Sequence, residues 1–192
     1  RRIIDHCSDV LLPYTERSAQ NLVAEGIRRE RVFVVGNPIK EVITAFQGRI
    51  DESSILDRLR LEAEGYFVAT MHRAENVDDP ARLGRHLQAL TALATTFGRP
   101  VVLSVHPRTA NRVAQTGLRP DPSLVRMESP FGFFDFLRLE QKCLGVVTDS
   151  GTVQEEACIF GKPNVTIRDV TERPETTECG SNILASDDED LL

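Results

Sequence analysis

No stretch of eighteen apolar residues occurs in this 192-residue chain, so nothing in it reads as a membrane-spanning helix. Positive charge is also short. The 23 lysines and arginines stand against 29 acids and leave a net charge of -6. That balance argues against a nucleic-acid binder, which needs a basic face, but leaves room for a small anionic ligand held by a few local donors. Cysteine is sparse: Cys7, Cys143, Cys158 and Cys179 are far apart and form no CxxC pair. A zinc site and a disulfide framework are therefore not expected, a reducing cytoplasm is, and all four read as small apolar or incidental residues. GxGxxG, a P-loop, a nucleophile elbow and a zinc helix are missing as well. The amino end, RRIIDHCSDV, lacks the apolar core of a signal peptide. The chain does not start with Met and stops at SDDEDLL just after a strand-like run, so it reads as part of a longer polypeptide, cut at both ends.

What is present is ordinary for a globular protein, with 41% hydrophobic and 27% charged residues, and is long enough to bury a sizeable core. Short apolar, β-branched runs alternate with segments of helical period. VLLPY (10–14) and RVFVVGNP (31–38) read as strands. Between them TERSAQNLVAEGI reads as a helix capped by Thr15 and ended by Gly26. YFVATMHR (66–73), VVLSVH (101–106), LVRMES (124–129), LGVVTDS (144–150) and NVTIR (164–168) follow as strands. Helices are expected over 78–98, from Pro107, over 131–143 and from about Thr152. In the first of these, Leu83, Leu87, Leu90 and Leu93 form a buried stripe. Strands apolar throughout and separated by helices imply a doubly wound α/β domain with a parallel sheet covered on both faces. No internal repeat appears, and SDDED is too short to count as a tail.

Ligands of such sheets bind at the carboxyl ends of the strands. That rule selects His72-Arg73, His106-Pro107-Arg108, Asp149-Ser150-Gly151-Thr152 and the segment from Arg168, which are also the segments richest in functional side chains. Gly151 permits a tight turn, and the amino end of the following helix can receive a phosphate. Thr152 to Glu155 reads equally well as a capping box. Glu156, one turn inside, has the reach to accept from ribose hydroxyls, although a helix glutamate is more often a solvated charge. Arg173 can neutralise a phosphate, and Arg168 with Glu172 can form an ordinary ion pair. His72 and His106 each end a strand with an arginine close behind, which suggests an anion pocket, although a histidine at such a place is more often a hydrogen-bonded junction residue.

The segments TMHRAENVDDP, SVHPRT, FDFLRL, TDSGTVQEEA and GKPNVTIRDVTERPE, with TERSAQNLVAEGI…VFVVGNP before them, resemble the non-hydrolysing UDP-N-acetylglucosamine 2-epimerases of bacteria and archaea, in family order over most of the chain. The resemblance implies a Rossmann-like half of a glycosyltransferase-B type two-domain fold. Residues 1–30 would be the end of an amino-terminal domain and interdomain segment, and 31–192 a truncated carboxy-terminal UDP-binding domain. It implies epimerisation at carbon 2 of UDP-GlcNAc to UDP-ManNAc, by anti elimination of UDP and its re-addition after protonation on the other face, for cell-surface polysaccharide. No organic cofactor or metal takes part, and the intact protein is expected to be a cytoplasmic homodimer. By the same resemblance His72 is the active-site histidine, and Ser150, Gly151 and Thr152 form the diphosphate turn. Glu156 is the ribose acid, Arg173 lies near the diphosphate, and the backbone at Phe136 reads uracil. Arg73 and His106 match contacts to a second, regulatory UDP-GlcNAc.

Two departures stand out: Thr152 replaces the second glycine of the family's Gly-Gly turn, and Phe131 stands where some members carry a glutamine to the uridine. The acids and bases acting at carbon 2 are expected upstream, so the 192 residues alone should bind UDP weakly and not epimerise. DSGT and VTIRDVTERPET lean toward a modified substrate, a UDP-N-acetyl-6-deoxyhexosamine or a diacetamido uronate. A glycosyltransferase-B type transferase and a non-catalytic nucleotide-binding domain are the other readings; HRAEN argues against the former and His72 is superfluous to the latter.

Overall fold

The computed structural model describes residues 1–185; the acidic stretch at 186–190 and the carboxy-terminal end of the expected UDP-binding domain lie outside them. Contacts divide the chain after Gln47 into two units, each with its own core. The first holds α1 (Arg2–Cys7), α2 (Glu16–Ala24) and α3 (Pro38–Ala45). As expected, Thr15 caps α2, its Oγ1 accepting from the Ser18 N–H at 3.1 Å. Asn37 caps α3, which begins on Pro38, so the second apolar run runs into a helix. The runs at 10–14 and 31–38 therefore do not form extended strands. They meet in a single parallel bridge, Leu11 with Val32, after a 3₁₀ turn at Arg29–Arg31. Pro13 has no N–H to extend the ladder, and among the described residues no third strand pairs with it. Leu11, Ala19, Ile27 and Val32 close a small core there.

The second unit, from Gly48 onward, carries the sheet. After α4 (Gln47–Asp51) and α5 (Ile55–Leu59) come β1 (Phe67–Met71), α6 (Ala74–Val77), α7 (Pro80–Phe97), β2 (Val101–Val105) and α8 (Pro107–Thr116). They are followed by β3 (Val125–Glu128), α9 (Phe133–Lys142), β4 (Gly145–Thr148), α10 (Gly151–Ile159), β5 (Asn164–Ile167), α11 (Pro174–Glu178) and β6 (Asn182–Ala185). All neighbouring strands are parallel, in the order β3-β2-β1-β4-β5-β6. Strand order thus reverses between β1 and β4, which leaves a crevice beyond their carboxyl ends.

The period of two assigns alternate strand residues to opposite layers. Ala69, Met71, Leu103 and Val105 pack with Leu83, Leu87, Leu90 and Ala94 of α7, while Val68, Val102 and Val146 pack with Leu139 of α9 and Val153 and Ala157 of α10. Each such aliphatic side chain, taken fully from water, contributes about 1.5–3 kcal/mol. Asp79 caps α7, accepting from the Ala81 N–H at 2.9 Å, and Gly98 ends it in the left-handed conformation at φ 61°. These caps fix α7 against the sheet, and the layer on the other face fixes α10; between them β1 and β4 end at a defined place.

Candidate active site

Met71 and Thr148 are the last residues of adjacent strands, so the residues after them, His72 and Asp149, face each other across the switch point. Asp149 is fully buried. Its Oδ2 accepts from the His72 N–H at 2.9 Å, the Arg73 N–H at 2.8 Å and Asn76 Nδ2 at 3.2 Å. Asn76 also donates to the Ile167 carbonyl at 3.0 Å, which brings the end of β5 into the same knot. Asp149 Oδ1 lies 2.9 Å from His72 Nδ1, and no other donor among the described residues reaches it. Burial alone would push Asp149 up, but the hydrogen bonds from His72 and the backbone N–H of Arg73 outweigh it and hold the acid below its usual value. His72 moves the other way: the Asp149 hydrogen bond raises it, against the lowering effect of burial. With Nδ1 committed to Asp149, the half-exposed ring has Nε2 left for a ligand. The sequence places Asp149 within a strand-end segment but gives it no role of its own; an acid between a buried strand and Ser-Gly is the signal that could have assigned one.

The turn after Asp149 is held by local hydrogen bonds. Thr148 Oγ1 accepts from the Ser150 N–H at 2.9 Å, and Ser150 caps α10, its side chain 3.5 Å from the Val153 N–H. The cap is therefore Ser150, two residues earlier than the capping box at Thr152 to Glu155. Thr152 is exposed, and Glu155 pairs instead with Arg173. A Cβ on Gly151 would meet Arg173 Cγ at 3.9 Å, so that arginine lies alongside the start of α10. Arg73 comes in from the other strand, its Nε donating to the Asp149 carbonyl at 2.8 Å. The expected Arg168–Glu172 partnership is replaced: Glu172 lies 4.0 Å from Arg173, and Arg168 is buried. Two cationic side chains and a helix amino end thus converge on one turn, an arrangement suited to a diphosphate.

Glu156 is 4% exposed, so it is not the solvated surface charge that a helix glutamate more often is. Across from it on α9 stands Glu140, wholly buried, with no donor among the described residues reaching either of its oxygens. Two carboxyl groups share such a space only if one keeps its proton. Burial, followed by the charge of Glu156 and a hydrogen bond to it, raises Glu140 well above the carboxylate range; burial pushes Glu156 up to about 7, while the proton donated by Glu140 pulls it back.

A concavity of about 420 Å³ opens beside this turn. It is lined by His72, His106, Ser150 and the aromatic rings of Phe131, Phe133 and Phe136, with Ser104 and Val153 beneath. The His72 and His106 rings are 6.2 Å apart. His106 has a structural task as well, since its Nδ1 accepts from the Arg108 N–H at 3.2 Å and caps α8. His72, His106, Phe136 and Ser150 thus line one concavity. Arg73, Gly151 and Arg173 gather at the adjoining turn, and Glu156 lies in the layer beneath. Among the described residues no cluster of acids, histidines and cysteines has the form of a metal site, and no helix is long and apolar enough to cross a membrane.

A doubly wound parallel sheet with a helix amino end at its switch point is the architecture of nucleotide-binding α/β proteins. The sequence profile of the UDP-N-acetylglucosamine 2-epimerases matches residues 1–192, and the chain belongs to that family. A UDP-N-acetylglucosamine 2-epimerase of Methanocaldococcus jannaschii is 38% identical over all of this chain and 54% of its own length. The UDP-2,3-diacetamido-2,3-dideoxy-D-glucuronate 2-epimerase of Pseudomonas aeruginosa is 37% identical, over all of this chain and 52% of its own. The crystal structure of the M. jannaschii enzyme in complex with UDP-GlcNAc and UDP superposes with a TM-score of 0.88 at 36% identity, over 97% of this chain and 52% of that one. The chain spans about half the length of the curated relatives it matches.

Proposed function

We propose that this chain is the UDP-binding half of an epimerase acting at carbon 2 of UDP-N-acetylglucosamine, by elimination and re-addition of UDP. The observation that carries the reading is the His72–Asp149 pair seated beside the Ser150–Gly151 helix start. Elimination breaks the bond between the anomeric carbon and the phosphate oxygen, so negative charge grows on the departing diphosphate. The α10 amino end, Ser150, Thr152 and Arg173 supply the donors for that charge. A protonated His72, kept so by Asp149, adds one more at the bond being broken. Glu156 receives the ribose hydroxyls, the backbone at Phe136 reads the uracil edge, and the Phe131–Phe133 wall shields the base. The groups that remove and return the proton at carbon 2 are assigned to the remainder of the longer protein. Residues 1–30 are read as the end of its amino-terminal domain, and the intact enzyme as a cytoplasmic homodimer whose Arg73 and His106 meet a second UDP-GlcNAc as regulator.

Incubating the intact protein with UDP-GlcNAc in deuterated water, without acceptor, tests this. Deuterium at carbon 2 is expected; inertness until an acceptor is added points to a transferase. A second reading rests on the 37% relative named for a diacetamido uronate, which favours a modified UDP-sugar as substrate. Faster exchange with that sugar nucleotide than with UDP-GlcNAc selects it.

A further inference from the structure

Cys158 and Cys179 are 21 residues apart in sequence, a spacing with no motif to it, and read from the sequence as incidental. The fold sets them together. Cys158 is the eighth residue of α10, and Cys179 is the residue that ends α11. Their sulfurs lie 3.8 Å apart, both thiols are free, and Cys179 is exposed while Cys158 is half-buried. A disulfide needs about 2.05 Å between sulfurs, so closing the bond takes a movement of under 2 Å, within the compass of two side-chain rotations. Cys143, by contrast, is sealed in the core under Tyr66, and Cys7 belongs to the first unit.

We infer that Cys158 and Cys179 form a reversible intramolecular disulfide on exposure to a low-molecular-weight disulfide such as oxidised glutathione. This goes beyond the epimerase reading and does not depend on it. The order of events follows from exposure. The Cys179 thiolate attacks a glutathione sulfur; the glutathione S–S bond breaks and one glutathione thiolate leaves, giving a mixed disulfide at Cys179. Cys158, whose thiol burial holds above its usual value, then gives its proton to solvent and attacks the Cys179 sulfur, expelling the second glutathione thiolate. Two protein thiols are oxidised and one glutathione disulfide is reduced to two thiols, so electrons and protons balance. Cytosolic disulfides are typically transient and redox-sensing, and this pair has the exposure and proximity such a role requires. The bond would tie α10, whose start receives the anion, to the segment that begins at Arg173.

The test is oxidation of the intact protein in oxidised and reduced glutathione mixtures, read by intact mass and by peptide mapping without reductant. Expected is a species two hydrogens lighter than the reduced protein, with Cys158 linked to Cys179, restored by dithiothreitol. Cys158→Ser should stop at a glutathione adduct on Cys179, and Cys179→Ser should lose nearly all adduct formation. Far-ultraviolet circular dichroism and melting of both variants establish that they fold; should either fail, Cys158→Ala and Cys179→Ala take their place. A stable glutathione adduct on Cys179 of the unmodified protein, with no linked species in any mixture, overturns the inference, as does linkage to Cys143 or Cys7.

Discussion

A single acid decides what His72 can do. Asp149 receives two backbone N–H groups, the Asn76 amide and His72 Nδ1, so it fixes both the end of β1 and the tautomer of the histidine. Asp149→Asn keeps the shape and removes the charge. We expect the His72 titration midpoint, followed by ring-proton NMR, to move down, and turnover by the intact enzyme to fall roughly 10²-fold, the usual scale for one proton-transfer group. An unmoved midpoint would show that the pair does not act on the ring. Glu156 makes a second residue-scale prediction. Its carboxyl is pushed up to about 7, and in the proposed role of ribose acceptor it would act ionised, so UDP affinity should rise with pH through that value. Isothermal titration at several pH values checks this, and Glu156→Gln should flatten the rise and weaken binding about tenfold at pH 8, a loss on the order of 1.4 kcal/mol for hydrogen bonds to a charged group.

Helix α10 and strand β4 are the elements on which the site rests. Ser150 caps α10, so Ser150→Ala should lower stability by about 1 kcal/mol in urea unfolding, besides weakening UDP binding. Gly145 opens β4 where a Cβ would stand 3.1 Å from the Pro163 carbonyl, itself the acceptor of the Val146 N–H. Gly145→Ala should therefore cost about 1–2 kcal/mol, with the m-value unchanged, because the neighbour that must give way is backbone. An effect near zero would mean that the turn before β5 yields freely. These elements were legible in the sequence because VVLSVH and LGVVTDS are apolar from end to end, and only a buried parallel strand wants that. Ser150 and Gly151 were legible for the same reason: they mark where such a strand ends. The strand runs at 10–14 and 31–38 looked alike but found no further partner, which local pattern cannot foresee. Nor can pattern foresee the Glu140–Glu156 apposition or the Cys158–Cys179 approach, since both come from two helices packing on one another.

At the scale of the whole molecule these groups set how stability responds to pH. His72 and Glu156 hold their protons more tightly folded than unfolded, and Glu140 does so most strongly. For each of them the folded state binds more protons, so the stability they confer is full below the unfolded value and is lost as pH rises through the folded one. Asp149 has the opposite sign: its contribution is present above the ordinary aspartate value of 3.8 and is lost as pH falls through its lowered one. The chain should therefore be most stable near the ordinary glutamate value of 4.5, above the range in which the Asp149 contribution is lost, and less stable toward pH 8. The buried Glu140–Glu156 pair, with Glu156 raised from 4.5 to about 7, gives a decline on the order of 3 kcal/mol between those two values, one pKa unit being about 1.4 kcal/mol. Urea midpoints measured from about pH 2 to 8 should fall on the alkaline side, and Glu140→Gln with Glu156→Gln together should level most of that fall while leaving the acid limb below 3.8, to which Asp149 contributes, in place. UDP reverses the trend, because it favours the ionised Glu156: with saturating nucleotide the midpoints should decline less steeply toward pH 8. A decline just as steep in the doubly substituted protein, or one that nucleotide leaves unaltered, would separate the buried acids from the site they underlie.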